Sequence, residues 1–276
     1  MPDPSKLPYL LKLLDDDSPV VQKALAEELS SFGPALPEAI AKLPFGLEPD
    51  QKTNLFNLLE DHQRSTLLKR WEEWAGTHGD GAAKIEAAYK ILSDFQNGPF
   101  HKRDLSKQLD LLAEEYRSGN DAVDVYRLSQ FLFRQKSLRG ASEDTYYDPA
   151  NSNLMYVLEA GRGLPISLTA IYMLLGERLG LSITGCAYPG HFLARTHFTG
   201  KIYLVDCFNG GRFVEEDLFW EEHPLPEFDD LREDVPAGLW MRRVLRNLLE
   251  AYTRAGCSKD AEVIRELLES ENGGGV

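Results

Sequence analysis

The stretch RGLPISLTAIYMLLGERLGLSITGCAYPGHF, Arg162 to Phe192, decides how this chain is read. Pro165 suits a first helical residue, an apolar run of helical length follows, and Gly180 supplies a stop. The next segment, LSITGCAY, is rich in β-branched and aromatic residues, reads as a strand, and leads to His191. A tight glycine turn, a helix and then a strand that delivers a histidine is a layout suited to thiol chemistry. In that layout a cysteine opens the helix, where the positive end of the helix favours the thiolate. Here Pro165 holds the opening position, and proline is chemically inert.

Downstream, HFLARTHF and KIYLVDCF read as strands joined by the two-residue turn Thr199-Gly200. With that turn, Phe198 faces Lys201, and every facing pair of residue numbers sums to 399. Asp206 then faces Leu193. His191 lies two residues from Leu193, on the same face, so His191 and Asp206 become diagonal neighbours about 7 Å apart or less. A carboxylate there would fix the imidazole tautomer. The plainer alternative is a strand-end carboxylate and a capped turn histidine with no shared task.

Upstream, LRGASEDTYYDPANSN reads as a long loop in which Asn151 or Ser152 caps the helix NLMYVLEAG, ending at Gly161. Helical patterns precede it at KIEAAYKILSDFQ, DLSKQLDLLAEEYRS and AVDVYRLSQFLFRQ. The N-terminal segment KLPYLLKLLDDDSPVVQKALAEELSSFG places Leu10, Leu11 and Leu14 on one stripe, then Ser18 as N-cap and Pro19 at the first helical position. Val20, Val21, Ala24, Leu25 and Leu29 continue the pattern, and Gly33 ends it. Asp15 to Asp17 read as a solvated turn that complements a helix N-terminus. The glycine-rich GTHGDGAAK at 76–84 marks a boundary, and the chain closes with two amphipathic helices and a loose ENGGGV tail. The expected organisation is a helical module at 1–78, a central domain at 79–230 and a helical hairpin at 231–276.

The 276 residues carry 30 basic and 44 acidic side chains, a net charge of -14, so nucleic acid and anionic membranes would be repelled by the average surface. No signal or spanning segment opens the sequence, which points to a cytoplasmic protein. Cys186, Cys207 and Cys257 form no CxxC pair and read as reduced thiols. No metal or other cofactor is implied: GRG and NGG are turns without a phosphate-binding helix, and His62, His78, His101, His197 and His223 lack ligand spacing.

Several short motifs in one order, RG at 162–163, PISL at 165–168, YPGHF around His191, VDCFNGG around Asp206 and YYDPANSNL upstream, closely resemble the SirB family of transglutaminase-like proteins. The resemblance covers roughly residues 83 to 270. It implies an α+β fold, mostly helical, in which a transglutaminase-like, papain-like core sets a helix on a small antiparallel sheet. It also implies a Cys-His-Asp triad of which His191 and Asp206 carry over, while Pro165 occupies the cysteine's place at the family's spacing to Gly180. The N-terminal unit resembles a HEAT repeat, and the last two helices resemble a tetratricopeptide-type hairpin or a plain docking element. The family is associated with tetratricopeptide-like tails and, in eukaryotes, with an F-box partner.

Other residues near this site carry hydroxyls, thiols or charge. Ser167 sits about 200° around the helix from position 165 and reads as a helix-start hydroxyl or an exposed polar residue. Thr169 projects on the face of Pro165, one turn deeper. Cys186, on the preceding strand, is the thiol that could swing in from another element, although a buried strand cysteine is usually a small apolar residue. Cys207 falls on the opposite hairpin face from Asp206 and reads as core, and Cys257 as structural or exposed. Arg162 could pin an anionic group beside the free helix amides, or pair with a neighbouring acid. Two functions follow from this set. One is a non-catalytic scaffold whose cleft binds a protein, a peptide or another ligand. The other is an amidase, acyl-transferase or hydrolase in which His191 and Asp206 activate Cys186 or a hydroxyl.

Overall fold

The computed structural model describes residues 3–43, 47–98, 104–120, 122–224 and 233–272. His101 and the terminal Gly273 to Val276 lie outside them. Contacts divide the chain into two units, Met1–Glu73 with Asp94–Arg103, and Trp74–Ser93 with Asp104–Val276.

The first unit is helical, built from α1 (Leu7–Leu10), α2 (Pro19–Ser31), α3 (Leu36–Ala41) and most of the long α4 (Pro49–Ala75). Leu7, Leu11 and Leu14 join Leu25, Leu29, Phe32, Leu36, Leu55 and Leu59 in one core. Each fully buried leucine contributes roughly 1.5–3 kcal/mol relative to exposure. Pro19 starts α2 as expected, and the Asp16 carboxylate accepts the Ser18 N–H at 2.8 Å. Val20 departs from the expected stripe: it is 78 % exposed, because Leu25, Ala26 and Leu29 already fill the buried face. The segments LFNLLE and LLKRWEEW belong to the single continuous helix α4.

The second unit holds α5 (Ala82–Asn97, to Ser93), α6 (Leu105–Gly119), α7 (Val125–Gln130), α8 (Leu154–Ala160), α9 (Pro165–Arg178), α10 (Glu216–Glu222), α11 (Ala237–Ala255) and α12 (Ser258–Asn272). Four antiparallel strands, β3 (Ile183–Cys186), β4 (Leu193–Phe198), β5 (Lys201–Asp206) and β6 (Arg212–Glu215), form a sheet in sequential order. A two-stranded parallel pair, β1 (Arg139–Gly140) and β2 (Arg162–Gly163), lies in what reads from sequence as loop and turn. The architecture is the expected one, mostly helical α+β with a small antiparallel sheet.

Helix α9 is the pillar of this unit. Every residue from Pro165 to Gly176 is buried, which is what a helix that is apolar all round requires. A Cβ on Gly176 would meet Ile183 Cδ1 at 2.6 Å, so the helix packs closely on β3. Strands β4 and β5 meet across Thr199 (φ 49°) and Gly200 (φ 82°), and Phe198 pairs with Lys201 and Ala194 with Val205, the register read from the turn. Positive φ at both turn residues matches the right-handed strand twist of a two-residue hairpin. Among the described residues no helix is long and apolar enough to cross a membrane.

Candidate functional site

His191 is presented by the turn Tyr188-Pro189-Gly190-His191, closed by the His191 N–H on Tyr188 O at 3.0 Å. Gly190 has φ 75°, the left-handed conformation that the third residue of such a Pro-Gly turn needs. Asp206 is the last residue of β5, where the hairpin register sets its face. His191 Nε2 and Asp206 Oδ1 are 3.0 Å apart, an ion-pair distance, with their side chains 25 % and 20 % exposed. The ring N–H is not aligned for a linear hydrogen bond. Asn209 holds the carboxylate from the other side, its backbone N–H donating at 3.1 Å and its side-chain amide at 2.8 Å. Burial works to raise the Asp206 pKa, but the His191 and Asn209 contacts together outweigh it and hold the carboxyl below its ordinary value.

His191 borders a pocket of about 330 Å³, and Asp206 stands behind it, outside the lining. Leu164, Pro165 and Ile166 from the start of α9 form one side and Gly190 to Phe192 another. Tyr146 and Tyr147 form a third, opposite α11, where Arg243, Asn247 and Glu250 recur at helical spacing. Neither cysteine, serine nor threonine lines this pocket among the described residues.

Arg243 has no counterpart in the expectations. Its guanidinium donates to Tyr188 O at 3.2 Å and to His191 O at 2.7 Å, and stands over the Phe192 ring at 5.3 Å. It thereby fastens the histidine turn to α11. Burial lowers its pKa from the ordinary value. Phe208 meets His191 edge-on, with ring centroids 6.2 Å apart at 87°, and reaches Tyr146 at 6.2 Å. Gly140 makes room for it, since a Cβ there would lie 2.5 Å from the Phe208 ring. At the pocket's outer edge Arg254 pairs with Glu250 at 2.6 Å and covers the Tyr147 ring at 3.5 Å.

Asn151 lies 1 % exposed in a short 3-10 turn, Pro149–Ser152, and does not cap α8. The cap is Asn153, whose side chain accepts the Met155 N–H at 3.1 Å. Asn151 instead donates to Thr145 O at 2.6 Å and Tyr146 O at 3.1 Å, and its own carbonyl takes the Leu164 N–H at 3.4 Å. It ties the tyrosine wall to the residue before α9. Ser167 is neither exposed nor an amide cap: it is 0 % exposed, deep in the unit, where it interacts with Tyr89. Thr169 is likewise 0 % exposed and sits beside Cys207. Arg162 meets the Tyr156 hydroxyl at 3.4 Å and not a carboxylate, and lies outside the pocket lining.

Cys186 is 0 % exposed, pairs with Leu193 across β3 and β4, and packs with Leu204, Tyr188, Phe219 and Trp220. Burial pushes its thiol up to about 11, the opposite of an activated thiolate. Cys207 is buried and Cys257 exposed, and none of the three forms a disulfide.

The start of α9, a histidine in the turn before β4 and an aspartate at the end of β5 thus lie close together in the second unit. The model of the Transglutaminase-like superfamily matches residues 102–222. A UPF0162 protein of Xylella fastidiosa (strain 9a5c) is 34 % identical over 205 residues, 67 % of this chain and 70 % of that protein. A UPF0162 protein of Pseudomonas aeruginosa is 29 % identical over 174 residues, 58 % of this chain and 63 % of that one. F-box only protein 21 of Homo sapiens is 24 % identical over 153 residues, 51 % of this chain and 24 % of that protein. No solved structure gives a significant match. The chain belongs to the UPF0162 family.

Proposed function

We propose that this protein is a transglutaminase-like, SirB-type protein whose cleft binds a segment of another protein without breaking a bond in it. One observation carries the reading. The pocket at His191 is bordered by Pro165 at the start of α9, and by no thiol or aliphatic hydroxyl among the described residues. A general base without a nucleophile within reach can orient and hold a ligand but cannot form an acyl-enzyme. His191, held by Asp206, offers one polar contact point; Asn247 and Glu250 offer others, between aromatic walls suited to side chains. The α11–α12 hairpin, read as tetratricopeptide-like, and the HEAT-like leader fit a recognition role. So does the likeness to a protein named for its F-box.

The competing enzyme would have to use Cys186, whose burial and raised pKa work against it, or Ser167 or Thr169, both fully buried away from the pocket lining. Random peptides displayed on phage and selected on the full chain test the proposal. Peptides selected on the wild type should lose affinity for His191→Ala by at least about tenfold, with unchanged circular dichroism, and should be recovered intact after incubation. Release of ammonia or cleavage of a bound peptide, lost in His191→Ala, would overturn the proposal and restore an enzyme.

A further inference from the structure

A groove in the first unit, between α2 and α4, has a volume of about 1040 Å³. On α4 its lining recurs at 54, 57, 61, 65 and 69, one face of a helix followed for four turns. At 1.5 Å per residue those positions span roughly 22 Å, the length of about six or seven residues of extended chain. A small-molecule pocket is usually lined mainly by apolar and aromatic side chains. Among the described residues this groove has no aromatic side chain except His62 in its lining, and Gln22, Asn54, Asn57, Ser65 and Thr66 bring amides and hydroxyls to it between charged side chains.

Asn57, Ser65 and Thr66 line it and spend no side-chain hydrogen bond among the described residues. Amides and hydroxyls in a row along a helix can both donate and accept, which is what successive peptide groups of an extended strand require. The charges select further. Asp61 is paired with Arg64, Arg70 with Asp94 and Lys69 with Glu73. That leaves Asp17 and Glu27, with Asp15 whose carboxylate accepts from the Asn54 amide at 3.0 Å, against Lys23 along the groove. The excess is acidic, on a chain whose net charge is -14.

We infer that the α2–α4 groove binds an extended, basic segment of a partner polypeptide, its main chain read by the α4 amide and hydroxyl row and its lysine or arginine side chains by Asp15, Asp17 and Glu27. This site is separate from the His191 pocket, and the inference does not rest on the function proposed for it.

Fluorescence polarisation with the full chain tests it, using a fluorescein-labelled octapeptide of alternating lysine and serine, its glutamate-serine counterpart, and the basic peptide with alternate backbone nitrogens methylated. Saturable binding of the basic peptide is expected, with at least tenfold weaker binding of the acidic and the N-methylated peptides. The exposed double variant Asp17→Lys/Glu27→Lys should weaken the basic peptide at least tenfold. Glu262→Lys/Glu266→Lys, the same charge change on α12, should shift it less than about twofold, and His191→Ala should leave it unchanged. Equal loss in the α12 variant, or equal binding of the methylated peptide, would show charge attraction alone and overturn the inference. So would absence of saturable binding. Concentration-dependent dimers that Asp17→Lys/Glu27→Lys dissolves, with no peptide bound, would assign the groove to a second copy of the chain and overturn it equally.

Discussion

His191 Nε2 and Asp206 Oδ1 stand 3.0 Å apart, and His191 shares its pocket with Pro165 at the start of α9. Asp206 ends β5 and His191 lies in the turn that leads into β4, and the Thr199-Gly200 turn fixes the register of the two strands.

Asp206 should couple folding to pH in the acid range. Its folded pKa lies below the ordinary value, so it contributes stability above the unfolded pKa of about 3.9 and loses it as pH falls through the folded one. Asp206→Asn is expected to cost about 1–3 kcal/mol at pH 7, the range for a buried polar network that loses a charged acceptor. Urea unfolding at stepped pH should show that difference shrinking below pH of about 4. A difference that stays constant from pH 7 to pH 3 would remove the Asp206 network as its source.

The thiols should separate by position. Brief treatment with iodoacetamide near neutral pH, followed by peptide mass spectrometry, is expected to label Cys257, which is exposed, while Cys186 and Cys207 react only after unfolding. Rapid labelling of native Cys186 would mean that its strand opens, and would reopen the thiol-enzyme reading.

Arg243 should hold the histidine turn in place. Arg243→Met keeps much of the side-chain bulk while removing the donors to Tyr188 O and His191 O. Charged hydrogen bonds of this kind contribute about 1.5–3 kcal/mol each way, so a loss of stability on that order is expected. Amide hydrogen exchange at 188–192 should rise more than elsewhere in the second unit. Uniform change across the unit would make Arg243 a general packing residue.

The sequence made the hairpin legible because a two-residue turn leaves no freedom: once Thr199 and Gly200 are the turn, parity brings His191 and Asp206 to one face. Pro165 and Gly180 bracketed α9 through their own backbone preferences, and Gly180 does take φ 73°. The angle of Ser167 around α9 points it away from Pro165, as the helix period predicts, but into Tyr89 and not into solvent, a long-range neighbour that helix geometry does not record. Asn151, Ser152 and Asn153 are each chemically able to cap α8. The Asp148-Pro149 start of a 3-10 turn consumes the first two, a choice no local pattern records. Arg243 acts across 52 residues of sequence on the turn at 188–191, and its only local trace is a charge bordering the apolar face of α11.

The most direct test places the missing atom. In Pro165→Cys, a thiol at the first position of α9 should face His191 and the free helix amides, and its alkylation rate should titrate well below the ordinary cysteine pKa of about 8.5. Adding His191→Ala should return the inflection toward that ordinary value. A thiol that titrates at 8.5 or above, indifferent to His191, would mean that Pro165 does not stand where a nucleophile would, and the reading of this pocket as a transglutaminase-like site without its cysteine would fall.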